Sequence, residues 1–143
     1  MELKLVQYGT PEYLQMVELR TELLRRPLGL SFSREQLDAE KNDLLIGAFE
    51  KDILLGCCVL TPHDTSTIQL RQMAVKQDAQ SKGIGRIIIT FAERISKEKG
   101  YNLLMMHARN VALDFYKKCG YEIKGEEFIE VTVPHHYMEK KLY

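Results

Sequence analysis

The residues of this chain best suited to chemistry lie in one short loop, Gln80-Ser81-Lys82-Gly83-Ile84-Gly85-Arg86. The two glycines flanking Ile84 leave backbone N–H groups uncovered by side chains, so an anionic group can approach the main chain. A strand-like run, Thr67 to Val75, precedes the loop and an amphipathic run follows it. The first turn of a helix exposes four N–H groups without intrahelical acceptors and carries a partial positive charge. Lys76, Lys82 and Arg86 add cationic charge against a single carboxylate, Asp78. These features describe a cradle for a diphosphate. The same glycines also suit a plain tight strand-to-helix connection. Two better-known phosphate loops fit less well. No Gly-Lys-Ser/Thr follows, as a Walker loop requires, and Ile88 stands where a dinucleotide fingerprint needs its third Gly or Ala.

The elements that must position this loop follow from periodicity. Ile84, Ile87, Ile88, Phe91 and Ile95 recur at helical spacing, and Gly100 closes that run. Leu3 to Val6 reads as a first strand. Thr10-Pro11 supplies an N-cap and a first-turn proline, and the helix it opens should run to about Leu24, before Pro27 and Gly29. Ser33 and Gln36 have capping-box spacing and open a short second helix. Asp43 to Glu50 and Ile53 to Leu60, joined by Lys51-Asp52, read as a hairpin. Tyr101 to Ala108 is a buried-type strand, Asn110 to Cys119 a short helix, and Tyr121 to Glu127 and Glu130 to Lys140 two closing strands. The order β-α-α-β-β-β-α-β-α-β-β implies one α/β domain. We expect a mixed, mostly antiparallel sheet of about seven strands flanked by about four helices.

Bulk properties exclude several classes. The chain has 143 residues, 45% hydrophobic and 28% charged, with Lys+Arg and Asp+Glu both at 20. Balanced charge gives no general attraction to nucleic acid or to an anionic membrane. The longest apolar run, Ile53 to Leu60, is too short to cross a bilayer, and the first residues lack an apolar signal core. Cys57 and Cys58 are adjacent, so on a strand they point to opposite faces, which disfavours a disulfide framework. A cytoplasmic location is expected. His135-His136 would likewise face opposite ways, and no His-x-His or Cys-x-x-Cys occurs, so no metal site is expected.

Gln80-x-x-Gly83-x-Gly85 after the strand Leu70-Arg-Gln-Met-Ala-Val75 resembles motif A of the GNAT N-acetyltransferase family, whose pattern is Gln/Arg-x-x-Gly-x-Gly/Ala. Asn110-Val-Ala112-Leu-Asp-Phe115-Tyr116-Lys-Lys-Cys-Gly120-Tyr121 resembles its motif B. The resemblance implies direct transfer of an acetyl group from acetyl-CoA to a primary amine of a small molecule or peptide. A binding module that senses acetyl-CoA without turnover is the alternative.

Residue roles implied by the resemblance are these. The pantetheine arm would lie between Thr67–Val75 and the next strand, bonding main chain at Met73, Ala74 and Val75. The backbone of Gln80, Ser81, Lys82, Gly83, Ile84, Gly85 and Arg86 would hold the diphosphate. Asn110 would bond the amide or phosphate region, and Tyr116 would sit near the thioester sulfur as general acid. Periodicity alone favours a core aromatic at Tyr116, and only the motif match reverses that reading. The general base stays open: His107 flanks the gap but is equally read as a satisfied core residue of the opposite layer, and a chain of waters is the third option. Arg20, Glu22, Arg25 and Arg26 cluster at the end of the first helix. The resemblance implies that the loop after it shapes the acceptor site, where arginines suit an anionic acceptor, but a charge run on a helix is usually a solvated face. The last strand, Val133 to Met138, would border the acceptor pocket, and a homodimer through the closing strands is also left open.

Overall fold

Left-handed backbone at Lys51 and Asp52 (φ 49° and 67°) turns the chain back on itself, as a two-residue hairpin requires. In this structure, a computed structural model describing residues 1–143, that turn joins β2 (Leu44–Glu50) to β3 (Ile53–Pro62). β1 (Glu2–Val6) pairs with β2, and β4 (Thr67–Val75) pairs with β3, all antiparallel. β5 (Leu103–Arg109) joins β4 in parallel, and β8 (Val133–Lys141) pairs antiparallel with β5. Two short strands, β6 (Glu122–Ile123) and β7 (Phe128–Glu130), pair with β8. The result is a mixed eight-stranded sheet in the order β1-β2-β3-β4-β5-β8-β6, with β7 also on β8.

The extra strand has a local cause. Val131 and Thr132 take left-handed backbone (φ 50° and 65°), so the run from Glu130 folds into a hairpin rather than one strand. β-branched residues rarely adopt that conformation, and nothing in the sequence marks the turn.

Helices cover both faces. α1 (Pro11–Arg20) opens with Thr10 accepting from the Tyr13 N–H and packs Tyr13, Met16 and Leu19 against Val6, Leu45, Cys57, Val59 and Ala74. α2 (Arg34–Asp38) carries the full capping box between Ser33 and Gln36. α3 (Ile84–Glu98) covers the opposite face, where Ile84, Ile88, Ile89 and Ala92 meet Ile46, Cys58, Leu60, Leu70 and Leu104. The buried line of α3 is rotated from the expected stripe, since Ile87 is 41% exposed while Ile89 and Ala92 are buried. Three consecutive isoleucines satisfy more than one helical phase, and the sheet selects the one that buries two of them. α4 (Leu113–Lys118) follows a single 3-10 turn, Asn110–Ala112. Cys57 and Cys58 fall in the two opposite cores, as alternation requires.

α1 does not end cleanly. Thr21 Oγ1 donates to the Val17 carbonyl at 2.7 Å, a contact that bends helices. The chain then widens into a π turn, Thr21–Arg25, and tightens into a 3-10 turn, Arg26–Leu28, at Pro27. Proline has no N–H to donate and its ring crowds the preceding turn, so regular helix stops here. No helix of the structure is long and apolar enough to cross a membrane.

Candidate active site

β4 and β5 pair only from Thr67↔Leu103 to Leu70↔Met106, while β5 stays paired with β8 as far as Arg109. Beyond Leu70 the two parallel strands splay. The cause is a β-bulge on the other edge of β4. Pairing with β3 jumps from Val59↔Arg71 to Cys57↔Ala74, so two residues of β4 oppose Cys58 alone. Gln72 takes left-handed backbone there (φ 54°), a conformation that costs a non-glycine residue roughly 1–2 kcal/mol. The kink swings Met73–Val75 away from β5.

Main-chain direction follows from alternation. The Lys76 N–H donates to the Leu55 carbonyl at 2.8 Å, and the Ala74 carbonyl also faces β3, beside Gly56. Successive strand residues address opposite edges, so Met73 and Val75 turn their peptide groups toward the gap, whereas Ala74 is buried with its groups toward β3. Gln80 Nε2 donates to the Val75 carbonyl at 3.0 Å and ties the loop to the strand.

Gln77–Lys82 forms a 3-10 turn and Gly83 takes left-handed backbone (φ 78°, ψ 10°) as the residue before α3. A Cβ on Gly83 would meet nothing within 4 Å, so glycine is favoured there by backbone conformation alone. Gly85 differs: a Cβ would lie 3.0 Å from Phe115 Cζ and 3.5 Å from Met73 Cε. That glycine lets α3, α4 and the bulged strand pack together. No side chain caps α3 and no acidic residue sits in its first turn, so its free amides keep their full pull on an anion. Ser81, Lys82 and Gly83 are exposed, and Ile84 anchors the turn in the core. Arg86 is committed elsewhere, its Nη2 donating at 2.8 Å to the Lys118 carbonyl at the end of α4.

Tyr116 is 6% exposed and stands between Phe115 and Tyr121, with ring centroids at 5.1 and 6.1 Å. Burial pushes its hydroxyl well above the ordinary 10, and no protein hydrogen bond contributes to the shift. It is therefore held as a proton-bearing group. Asn110 is doubly engaged: its Nδ2 donates to Glu127 Oε1 at 2.6 Å, and its Oδ1 lies 2.7 Å from His136 Nδ1. It ties α4 to the closing strands.

The face of β5 toward the α1 side carries a second group that sequence reasoning assembled only in part. His107 directly follows the last β4–β5 pair, and its Nδ1 lies 2.9 Å from Glu130 Oε1 on β7. Buried His135 lies 3.8 Å from the other oxygen of Glu130. Arg109 Nη2 donates to the Leu24 carbonyl in the π turn at 2.8 Å. Arg25 reaches the same carbonyl at 3.2 Å and stacks on Phe32 at 4.4 Å. Arg20 does not join this group. It is fully buried, bidentate to Glu40 at 2.9 and 2.6 Å, and stacked on the same Phe32. The i, i+2 spacing of His107 and Arg109 on one strand was the available signal for their shared face. Glu130 and the bulge had none. No set of three His, Cys, Asp or Glu side chains is placed to hold a metal ion.

Residues 30–142 match the family model described as an acetyltransferase (GNAT) domain. YyaT, an uncharacterized protein of Bacillus subtilis, is 36% identical over 76 residues, covering 53% of this chain and 51% of its own. The chain spans about half the length of the curated relatives it matches. Among solved structures, the aminoglycoside 6'-N-acetyltransferase from Enterococcus faecium aligns over 100% of this chain and 98% of its own, with TM-score 0.82 at 16% identity. A GNAT acetyltransferase from Elizabethkingia anophelis with acetyl-CoA bound aligns over 98% and 97%, with TM-score 0.75 at 23% identity. These two share the fold, and the match over residues 30–142 extends through the bulged strand, the glycine loop and Tyr116, so the chain belongs to the GNAT acetyltransferase family.

Proposed function

We propose that this protein transfers an acetyl group from acetyl-CoA to a primary amine by direct attack in a ternary complex. The observation that carries this reading is the splay of β4 from β5 beyond Leu70↔Met106, with the uncapped end of α3 beside it. A splayed strand edge is a line of main-chain donors and acceptors, here at Met73 and Val75, which suits the amide-bearing pantetheine arm. The α3 amides from Gly83 suit the diphosphate at the other end of the same molecule.

The chemistry then divides among these residues. A neutral amine attacks the thioester carbonyl, forming a C–N bond. Negative charge develops on the carbonyl oxygen, and the Met73 N–H is the donor aimed at it. Such a donor contributes about 3 kcal/mol to the transition state. The C–S bond breaks and Tyr116 gives its proton to the departing thiolate. His107, oriented by Glu130, takes the proton that the amine releases. It stands where β4 and β5 part, on the face opposite α3.

Two measurements test this. Thermal shift with acetyl-CoA, CoA, NAD and ATP should show stabilisation by the two CoA species alone, about 2.7 kcal/mol at a hundredfold excess over Kd. Preference for NAD or ATP would overturn the cofactor class. Thiol release across an amine panel should then reveal turnover, and tight CoA binding without release for any amine would replace the enzyme with a sensor.

A further inference from the structure

We infer that the amine acceptor carries an oxyanion, a carboxylate or a phosphate, bound between Arg25 and Arg109 with Arg71 at the rim. This assignment rests on the acyltransfer reading and names the substrate class of that same site.

Two guanidinium groups converge on one neutral atom, the Leu24 carbonyl oxygen, at 2.8 and 3.2 Å. Like charges do not gather around a single dipole without cost. The cost is visible in Arg25, whose pKa is held below its ordinary value by burial and then by Arg109, Arg20 and Arg71, with Glu130 opposing them. Arg109 is lowered by burial as well. Of the arginines in this chain, only Arg20 and Arg94 have a carboxylate within ion-pair distance. Each carboxylate near the group is already engaged. Glu130 accepts from His107, Asp43 accepts from Thr61 Oγ1 at 2.9 Å, and Glu40 holds Arg20. The folded chain therefore gathers three guanidinium groups with no carboxylate in ion-pair contact with any of them, Glu130 offsetting Arg25 and Asp43 facing Arg71 only at longer range. A bound oxyanion makes that direct contact, with the fork geometry that arginine offers to carboxylates and phosphates.

Placement fits a small acceptor. Arg71 follows the last β4–β5 pair on β4, as His107 does on β5. Arg109 lies three residues beyond Met106, about 10 Å along the strand before its side chain reaches back. An amine at the gap and an oxyanion at the arginines then belong to one small molecule. The Leu24 carbonyl and the Phe32 ring hold Arg25 and Arg109 in place in advance, so little side-chain freedom is lost on binding.

The test uses matched acceptors: amino acids against their own amides, aminoalkyl phosphates against the parent amino alcohols, and kanamycin as a polycation. Initial rates are measured by thiol release. Binding of the same compounds is measured by calorimetry with CoA present, so the assignment is decided even where turnover is absent. Either the carboxylate or the phosphate member should exceed its neutral partner at least tenfold in kcat/KM or Ka, and which one does so identifies the oxyanion. Arg71→Gln and Arg109→Lys should raise KM for the anionic member at least fivefold while leaving the neutral partner and CoA affinity unchanged. Equal values within both pairs, or kanamycin as the best acceptor, would overturn the assignment. Loss of CoA binding in the unaltered protein would instead remove the acyltransfer reading beneath it.

Discussion

Replacing Gly83 by Asp separates a strained turn from an anion site, because the two effects can be sized independently. Gly83 sits at φ 78° with no atom within 4 Å of a built Cβ, so substitution there costs backbone strain and no steric clash. That strain is roughly 1–2 kcal/mol for an ordinary residue, and Asp is among the residues that tolerate this conformation best. The fold should survive with a modest fall in Tm. The new carboxylate would stand at the uncapped start of α3, where the diphosphate is proposed to bind. Two unit charges ~5 Å apart at an effective dielectric of ~20 repel by about 3 kcal/mol, or ~10²-fold in Kd. Gly9→Ala is the matched control: Gly9 has the same φ of 78° and nothing within 4 Å, but lies between β1 and α1. It should share the strain and leave CoA affinity unchanged. The assay is calorimetric CoA titration beside thermal melts of all three proteins. A folded Gly83→Asp protein that binds CoA as tightly as the parent would refute the placement of the diphosphate and the acyltransfer reading with it.

Tyr116→Phe should lower turnover by ~10²–10⁴ with CoA affinity unchanged, and the melt should barely move, since no protein hydrogen bond shifts that hydroxyl. Arg20→Met leaves Glu40 charged and buried, and should cost about 3–5 kcal/mol in denaturant titration, whereas Arg20→Met with Glu40→Leu should recover most of it. Burial raises the hydroxyl pKa of both Tyr116 and Tyr121 in the fold. Their contribution is therefore complete below pH 10 and declines as pH rises above it, by up to about 1.4 kcal/mol per pH unit for each tyrosine, readable as a falling urea midpoint. Burial pushes the Cys57 thiol up to about 12 and Cys58 well above its ordinary value, so in native protein only half-buried Cys119 should react with a thiol reagent at pH 8, and all three on unfolding.

Much of the fold was legible because its local signals agree with its packing. Thr10-Pro11 and Ser33–Gln36 cap helices where their chemistry predicts, and the Lys51-Asp52 hairpin forms in place. The glycine loop was legible too, but one of its glycines for a partial reason. Gly83 is required by backbone conformation, while Gly85 clears room for Phe115, a contact between distant segments that no local pattern encodes. Arg20 misled for the same reason. In the sequence it belongs to an exposed basic cluster, and only tertiary pairing with Glu40 takes it out of solvent. The β7–β8 turn and the bulge at Gln72 were invisible because Val131, Thr132 and Gln72 hold left-handed conformations against their own preferences.

Those unfavourable conformations point to where the site comes from. The bulge at Gln72 breaks β4 one residue after Arg71, and the π turn with Pro27 breaks α1 beside Leu24. The first break frees a strand edge at Met73 and Val75. The second leaves a carbonyl that two arginines can share. Either irregularity alone would be a defect in a helix or a sheet. Arg109 reaches from the end of β5 to that carbonyl, linking the helix break to the strand that parts from the bulge. On the proposed reading, the cofactor side and the acceptor side are set by two interruptions of regular structure that meet across one gap. Removing the bulge at Gln72 should raise the Tm and lower turnover together, because the left-handed residue there costs stability and stands where β4 parts from β5.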